Sequence, residues 1–353
     1  MLPAAVLNAQ PGEYVLDLCS APGGKATQSG LRMAGEGLLV CNEPVPKRAQ
    51  VLSRNIERMG ITNAVVVSAM PEALADRWPG LFDAVQVDAP CSGEGMFRRH
   101  PETRDEWTPE SPAGCAKRQA AILDSAALMV RPGGRLVYST CTMNPTENEE
   151  TVAAFMQRHP DFALKPFSLP GAEAPEGQLT CYPHRMRGEG HFTALLVRAG
   201  NAPRRSSADR SLPKPDKAAL RSYADFCGGM DAPVPTHVMG STLVSAPLLP
   251  EIRGLKVLRA GLQLGECRGR LFVPDHAWAV STCPPEVPRV PLTEAQAVCW
   301  LRGETVEADG SGWVLPCYAG LPLGWGKVSD GVMRNHYPKG LRRSLEMPRS
   351  SEE

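Results

Sequence analysis

The sequence has no excess of either charge, no Cys-x-x-Cys pair and no long apolar run, and each absence removes a class of protein. Lys plus Arg and Asp plus Glu each total 38 in 353 residues, so a polyanionic partner would have to be met by a local basic patch. The 11 cysteines are odd in number and scattered from Cys19 to Cys317, without the paired spacing of a zinc site or a dithiol redox motif. No metal is expected, and free thiols fit a reducing, cytoplasmic setting. Met1-Leu2-Pro3-Ala4-Ala5-Val6-Leu7 has neither the basic lead nor the apolar length of a signal peptide, and no run is long enough to span a bilayer. With 42% hydrophobic residues, the chain can still bury a core large enough for two or three domains.

Short β-rich runs recur through the first part of the chain, at Tyr14 to Leu18, Leu38 to Cys41, Ala64 to Val67, Phe82 to Val87, Leu136 to Ser139 and Thr193 to Val197, which predict core strands. Helix-like stretches lie between them: Gly24 to Met33, Val45 to Met59, Ala116 to Val130 and Glu147 to Gln157, the last with Thr146 or Asn144 as a cap. Alternation of this kind predicts an α/β fold with a largely parallel sheet. Residues 200–217 are polar and proline-bearing and read as a linker. Residues 218–285 form a mixed middle segment, and 286–345 a small β-rich module followed by a tail, 346–353.

Val15-Leu16-Asp17-Leu18 runs into Cys19-Ser20-Ala21-Pro22-Gly23-Gly24-Lys25 and then into a helix-like stretch. A strand, a glycine turn and a helix N-terminus in succession make a nucleotide-binding arrangement. Glu43, after the second strand, is placed to accept hydrogen bonds from ribose hydroxyls. A dinucleotide dehydrogenase would need Gly-x-Gly-x-x-Gly, which the Ala-Pro-Gly-Gly-Lys turn does not supply.

Two further strands end in cysteine-bearing loops, Asp88-Ala89-Pro90-Cys91-Ser92-Gly93 and Ser139-Thr140-Cys141-Thr142. Strands adjacent in a sheet would bring both thiols to the crevice where open α/β sheets bind ligands, and thiolates are strong nucleophiles near neutral pH. A cysteine peptidase would need a partnering histidine, and none stands in these motifs. The remaining cysteines, Cys41, Cys115, Cys181, Cys227, Cys267, Cys283, Cys299 and Cys317, read as small buried hydrophobes.

Together these motifs resemble those of the S-adenosylmethionine-dependent RNA cytosine-5 methyltransferases of the RsmB/Nop/NSUN family, most closely the bacterial RsmF type that acts on 16S rRNA. Asp17 to Lys25, Asp88 to Gly93, Ser139 to Thr142 and Asn144 to Glu149 carry the match, which covers roughly Val15 to Arg198. The resemblance implies a Rossmann-like class I methyltransferase sheet. It implies that Cys141 is the nucleophile, that Cys91 assists product release, and that Asp88 serves both cofactor and cytosine. S-adenosylmethionine is the implied cofactor, held by Cys19, Ser20, Ala21, Pro22, Gly23, Gly24, Lys25, Glu43 and Asp88. Gly320 to Lys327 and Lys339 to Arg342 are similar to the PUA-like RNA-binding module that ends RsmF-type enzymes.

RNA, in a small ribosomal subunit or its precursor, is therefore the expected partner of a monomeric chain. Its phosphates would meet Arg98, Arg99, Lys117 and Arg118, the last two at the start of a helix, and Lys327 and Lys339 in the terminal module, where Trp325 could stack on a base. Two departures from the family are visible. The cofactor strand begins at Tyr14, so an N-terminal region and helical lead-in are expected to be missing, which keeps a non-catalytic RNA-binding or assembly protein as the alternative. Where relatives place an Asp near adenine, this chain reads Ser68-Ala69-Met70-Pro71.

Overall fold

The structure, a computed structural model, describes residues 1–203 and 212–344. The middle of the expected linker and the whole of the 346–353 tail lie outside the described residues. The chain divides into two compact units whose boundaries are not colinear with the sequence: residues 248–259 belong with the first unit, and 57–62 with the second.

The first unit is a nine-stranded sheet. Its central strands are β1 (Tyr14–Asp17), β2 (Leu38–Asn42), β3 (Ala64–Ser68), β4 (Phe82–Asp88) and β5 (Val130–Thr140). They run parallel in the order β3-β2-β1-β4-β5. Val and Leu are the commonest residues because a parallel sheet is covered on both faces, and every residue of β2 is buried. Beyond β5 come β6 (Phe162–Leu164), a β7–β8 hairpin (Phe167–Leu169, Ala172–Ala174), β9 (Gln178–Cys181) and β10 (His191–Arg198). β10 lies antiparallel against β5, with Phe192 opposite Thr140. The far edge, beside β3, is filled by the distant segment Lys256–Ala260.

Helices α1 (Leu2–Leu7), α2 (Gly24–Arg32), α3 (Pro46–Arg58), α4 (Pro71–Arg77), α5 (Glu102–Glu106), α6 (Ser111–Met129) and α7 (Glu149–Arg158) connect or cover these strands. The short α1 packs on β5. The Arg135 guanidinium holds its end by donating to the carbonyls of Leu7 (2.6 Å) and Asn8 (3.0 Å) and by pairing with Glu13, as cations favour helix C-termini. Two local expectations are corrected. α6 begins at Ser111, with a proline in its first turn, because proline is tolerated there; Lys117 and Arg118 are therefore in its second turn rather than at its start. α7 begins after Asn148, and neither Thr146 nor Asn144 caps it.

In the second unit a four-stranded antiparallel sheet, Thr242–Ser245 and Leu262–Arg268 at its centre, carries helix Lys217–Cys227. A six-stranded sheet contains Gly312–Tyr318, Gly326–Ser329 and Val332–Asn335. The two share one aromatic core built from Tyr223, Phe272, Trp278 and Trp325. Trp325, expected to stack on RNA, is 1% exposed and packs edge-on against Trp278 and Trp313 at 5.9 and 5.8 Å. Its indole N–H donates to the Asp275 carbonyl at 2.8 Å. Exposing it would forfeit the burial that makes a core tryptophan worth about 3–5 kcal/mol, so it is a structural residue. Lys327 and Lys339 are exposed, and Lys327 Nζ stands 5.5 Å from the centre of the Trp313 ring.

Candidate active site

The strand order reverses between β1 and β4, which is where α/β sheets open a crevice beyond their carboxyl ends. Asp17 ends β1 and is held in register with Gln86 of β4, whose Nε2 donates to it at 3.0 Å. Burial, with Asp88 nearby, pushes the Asp17 carboxyl up to about 7. The turn that follows is laced to its neighbours: Leu18 N–H donates to Gln86 O at 2.9 Å and Ser20 N–H to Asn42 O at 2.8 Å. Arg48 and Asn55 of α3 donate to the carbonyls of Ala21 and Pro22. Gly23 then opens α2 at φ 112°, a conformation that favours glycine, and a Cβ there would lie 2.9 Å from Leu52 Cδ1.

Glu43 is buried just past β2, where it accepts from Val45 N–H at 2.9 Å and pairs with Arg48 at 3.2 Å. The set fits S-adenosylmethionine. Bare backbone and the first turn of α2 suit a carboxylate, while Glu43 and Asp88 offer acceptors to hydroxyls and an ammonium. Met70, 59% exposed in front of α4, presents an apolar surface suited to an adenine ring.

Asp88, at the end of β4, accepts from Lys25 Nζ and from Ser139 Oγ, both at 2.7 Å. This joins the cofactor turn to both cysteine loops. Cys91 Sγ lies 3.2 Å from Cys141 Sγ, so the structure brings together the two thiols singled out in the sequence. The shared hydrogen bond, helped by Lys25, holds the Cys141 thiol below its ordinary pKa, whereas that bond and burial push Cys91 far up. Of the two thiols, Cys141 is the one favoured to ionise. Of the other cysteines Cys41, Cys227 and Cys317 are buried, but Cys283 is exposed, which corrects its assignment to the core.

Glu147 and Asn148 are a support the sequence did not reveal as such. Fully buried Glu147 accepts from Ser92 N–H and Gln119 Nε2, both at 2.9 Å, and from Ser92 Oγ. Asn148 Oδ1 accepts from Thr140 Oγ1 at 2.6 Å, and its Nδ2 donates to Thr142 O at 3.2 Å. The two loops are thereby fixed to one another. Glu147→Ala would strand Ser92 and Gln119 donors in the interior; hydrogen bonds to a charged acceptor contribute about 1.5–3 kcal/mol each. Urea unfolding of this variant is expected to show a loss of about 3 kcal/mol or more, with Glu147→Gln losing less.

A cleft of about 510 Å³ opens over these groups, bordered by Lys25, Asp88, Arg99, Cys141, Arg187 and His191. Arg99 lines the cleft, and Arg187, from the segment that leads into β10, and His191, the first residue of β10, join it unforeseen. Arg98 is instead held by Glu189 through two 2.9 Å hydrogen bonds. Lys117 and Arg118 are exposed on α6.

The family described as 16S rRNA methyltransferase RsmB/F matches residues 4–197. Residues 233–281 match the RsmF rRNA methyltransferase first C-terminal domain, and 287–343 the methyltransferase RsmF PUA domain. Ribosomal RNA small subunit methyltransferase F of Shewanella loihica is 32% identical over 97% of this chain and 76% of its own length. The Escherichia coli protein of the same name gives the same identity and the same coverage. NSun6 of Pyrococcus horikoshii, solved with an S-adenosylmethionine analogue, superposes with a TM-score of 0.52 at 28% identity, over 56% of this chain and 51% of that one.

Proposed function

Since the chain belongs to the 16S rRNA methyltransferase RsmB/F family, we propose that it methylates carbon 5 of a cytosine in small-subunit ribosomal RNA, with Cys141 as the covalent nucleophile. The observation that carries this reading is the Cys91–Cys141 pair, 3.2 Å apart in the loops that follow neighbouring strands, with Cys141 lining a cleft it shares with Asp88 and Lys25.

Cytosine carbon 5 is a weak nucleophile until a thiolate adds at carbon 6 and raises the electron density at its neighbour. Cys141, favoured as the thiolate, is suited to that addition. S-adenosylmethionine, when bound by residues 19–25, Glu43 and Asp88, supplies an electrophilic methyl group to carbon 5. Loss of the carbon-5 proton to a base then lets Cys141 leave as a thiolate. The Cys91 thiol, donating to that sulfur, stabilises the departing charge. Asp88, anchored by Lys25 and Ser139, holds the pyrimidine edge.

Residues 1–199 are the catalytic part in this reading, 200–217 the linker, 218–285 the middle domain and 286–345 the RNA-binding domain. Arg99 and Arg187 at the cleft, Lys117 and Arg118 on α6, and Lys327 and Lys339 in the second unit would meet phosphates. No helix among the described residues is long and apolar enough to cross a membrane.

The test is bisulfite sequencing of small-subunit rRNA after incubation with the protein and S-adenosylmethionine. A single protected cytosine is expected, absent when the protein is omitted; unchanged rRNA under saturating cofactor would refute the reading.

A further inference from the structure

We propose that His191 is a catalytic residue that hydrogen-bonds the polar edge of the target pyrimidine, an inference that rests on the methyl-transfer reading above. β10 runs antiparallel to β5 with Phe192 opposite Thr140 as the last registered pair; His191, the first residue of β10, and Cys141, the first residue past β5, flank that pair and line the same cleft. The approach to His191 is locked in place. A Cβ on Gly95 would lie 2.6 Å from Cys141 O, 2.8 Å from Glu189 O and 2.9 Å from Gly190 O. Gly95 N–H also donates to Cys141 O at 2.9 Å. The Cys91 loop, Cys141 and the Glu189–Gly190 strap thus form one packed layer, and the imidazole that follows it borders the cleft with Lys25 and Asp88.

His191 Nε2 is shielded from solvent and has no hydrogen-bond partner among the described residues. Buried polar groups in native proteins are ordinarily satisfied, so an unsatisfied nitrogen beside a nucleophile points to a ligand that completes it. Burial outweighs the pull of Asp88 and holds this imidazole down at about 4, so it is neutral at neutral pH. A neutral ring offers one N–H and one lone pair and does not repel a sulfonium. Cys141 addition sends negative charge onto N3 and O2 of the pyrimidine, and a donor N–H there stabilises the adduct.

The experiment measures the rate of covalent adduct formation, in the presence of S-adenosylmethionine, with small-subunit rRNA transcribed with 5-fluorocytidine, whose fluorine blocks elimination. His191→Phe is expected to form the adduct about 100-fold more slowly, the size of effect seen when one charge-stabilising donor is removed. S-adenosylmethionine binding and melting temperature are expected to stay at wild-type values. His191→Gln or His191→Asn, which restores a polar group, should recover at least about 10-fold of that loss. The proposal is overturned if the Phe variant reacts at the wild-type rate, if neither polar variant improves on it, or if cofactor binding and melting fall along with the adduct. Failure of the wild type to form any adduct would instead strike the methyl-transfer reading itself.

Discussion

Cys141→Ala is expected to lower methyl transfer to small-subunit rRNA by at least about 1000-fold while leaving S-adenosylmethionine affinity unchanged. The size follows from the chemistry: the substitution removes the only step that makes carbon 5 nucleophilic, and loss of a covalent nucleophile typically leaves little beyond proximity and electrostatic effects. Cofactor affinity is spared because the turn at residues 19–25 is positioned from β1, β2 and α3, through bonds such as Ser20 N–H to Asn42 O and Asn55 Nδ2 to Pro22 O, each 2.8 Å. Cys141→Ser should fare almost as badly, since a hydroxyl placed where Cys91 can donate is still far from ionised at neutral pH. Labelled methyl incorporation measures the first quantity and calorimetry the second. Equal incorporation by wild type and Cys141→Ala would remove Cys141 from its role.

Much of this site can be read along the chain because its chemistry is local in sequence. The cofactor turn is one continuous run from Asp17 to Lys25, and each thiol sits in its own short loop after an apolar strand. The sheet was legible for the same reason: β2 and β3 are compact apolar runs whose observed ends, Asn42 and Ser68, lie one residue beyond the predicted ones. β5 was less so. Pro132, Gly133 and Gly134 hid its first half, which pairs with β4 across an irregular register.

Groups that act through tertiary placement were missed. His191 reaches the cleft only because β10 folds back antiparallel onto β5, and no local spacing links it to Cys141. Glu147 looked like part of a helix start; its partners Ser92 and Gln119 lie 55 and 28 residues away. Trp325 shows the opposite error. Aromatic character suits a base stack and a hydrophobic core equally well, and only burial among Tyr223, Phe272 and Trp278 decides between them. Arg98 likewise carries the charge that a phosphate would want, but Glu189 lies within its reach.

Cys91→Ala should uncouple the two halves of the reaction: addition persists at a reduced rate, release slows more, and a protein–RNA adduct accumulates. In the wild type the two sulfurs share a hydrogen bond across 3.2 Å; with Cys91 as its donor, that bond lowers the pKa of Cys141. Removing that donor raises the pKa of Cys141, with two consequences of different weight. Fewer molecules carry the thiolate at neutral pH, but each is intrinsically more nucleophilic, so the two effects on addition partly cancel. On the way out nothing cancels, because a thiol of higher pKa is a poorer leaving group and the departing charge has lost its hydrogen bond. A slower-migrating RNA-linked band on a denaturing gel is the expected signature, with multiple-turnover methylation reduced by about 100-fold or more, as for loss of one preorganised donor. Raising the pH should restore addition by refilling the thiolate but leave release impaired. A Cys91→Ala protein that turned over normally and showed no shifted band would mean that the Cys91 thiol plays no part in release.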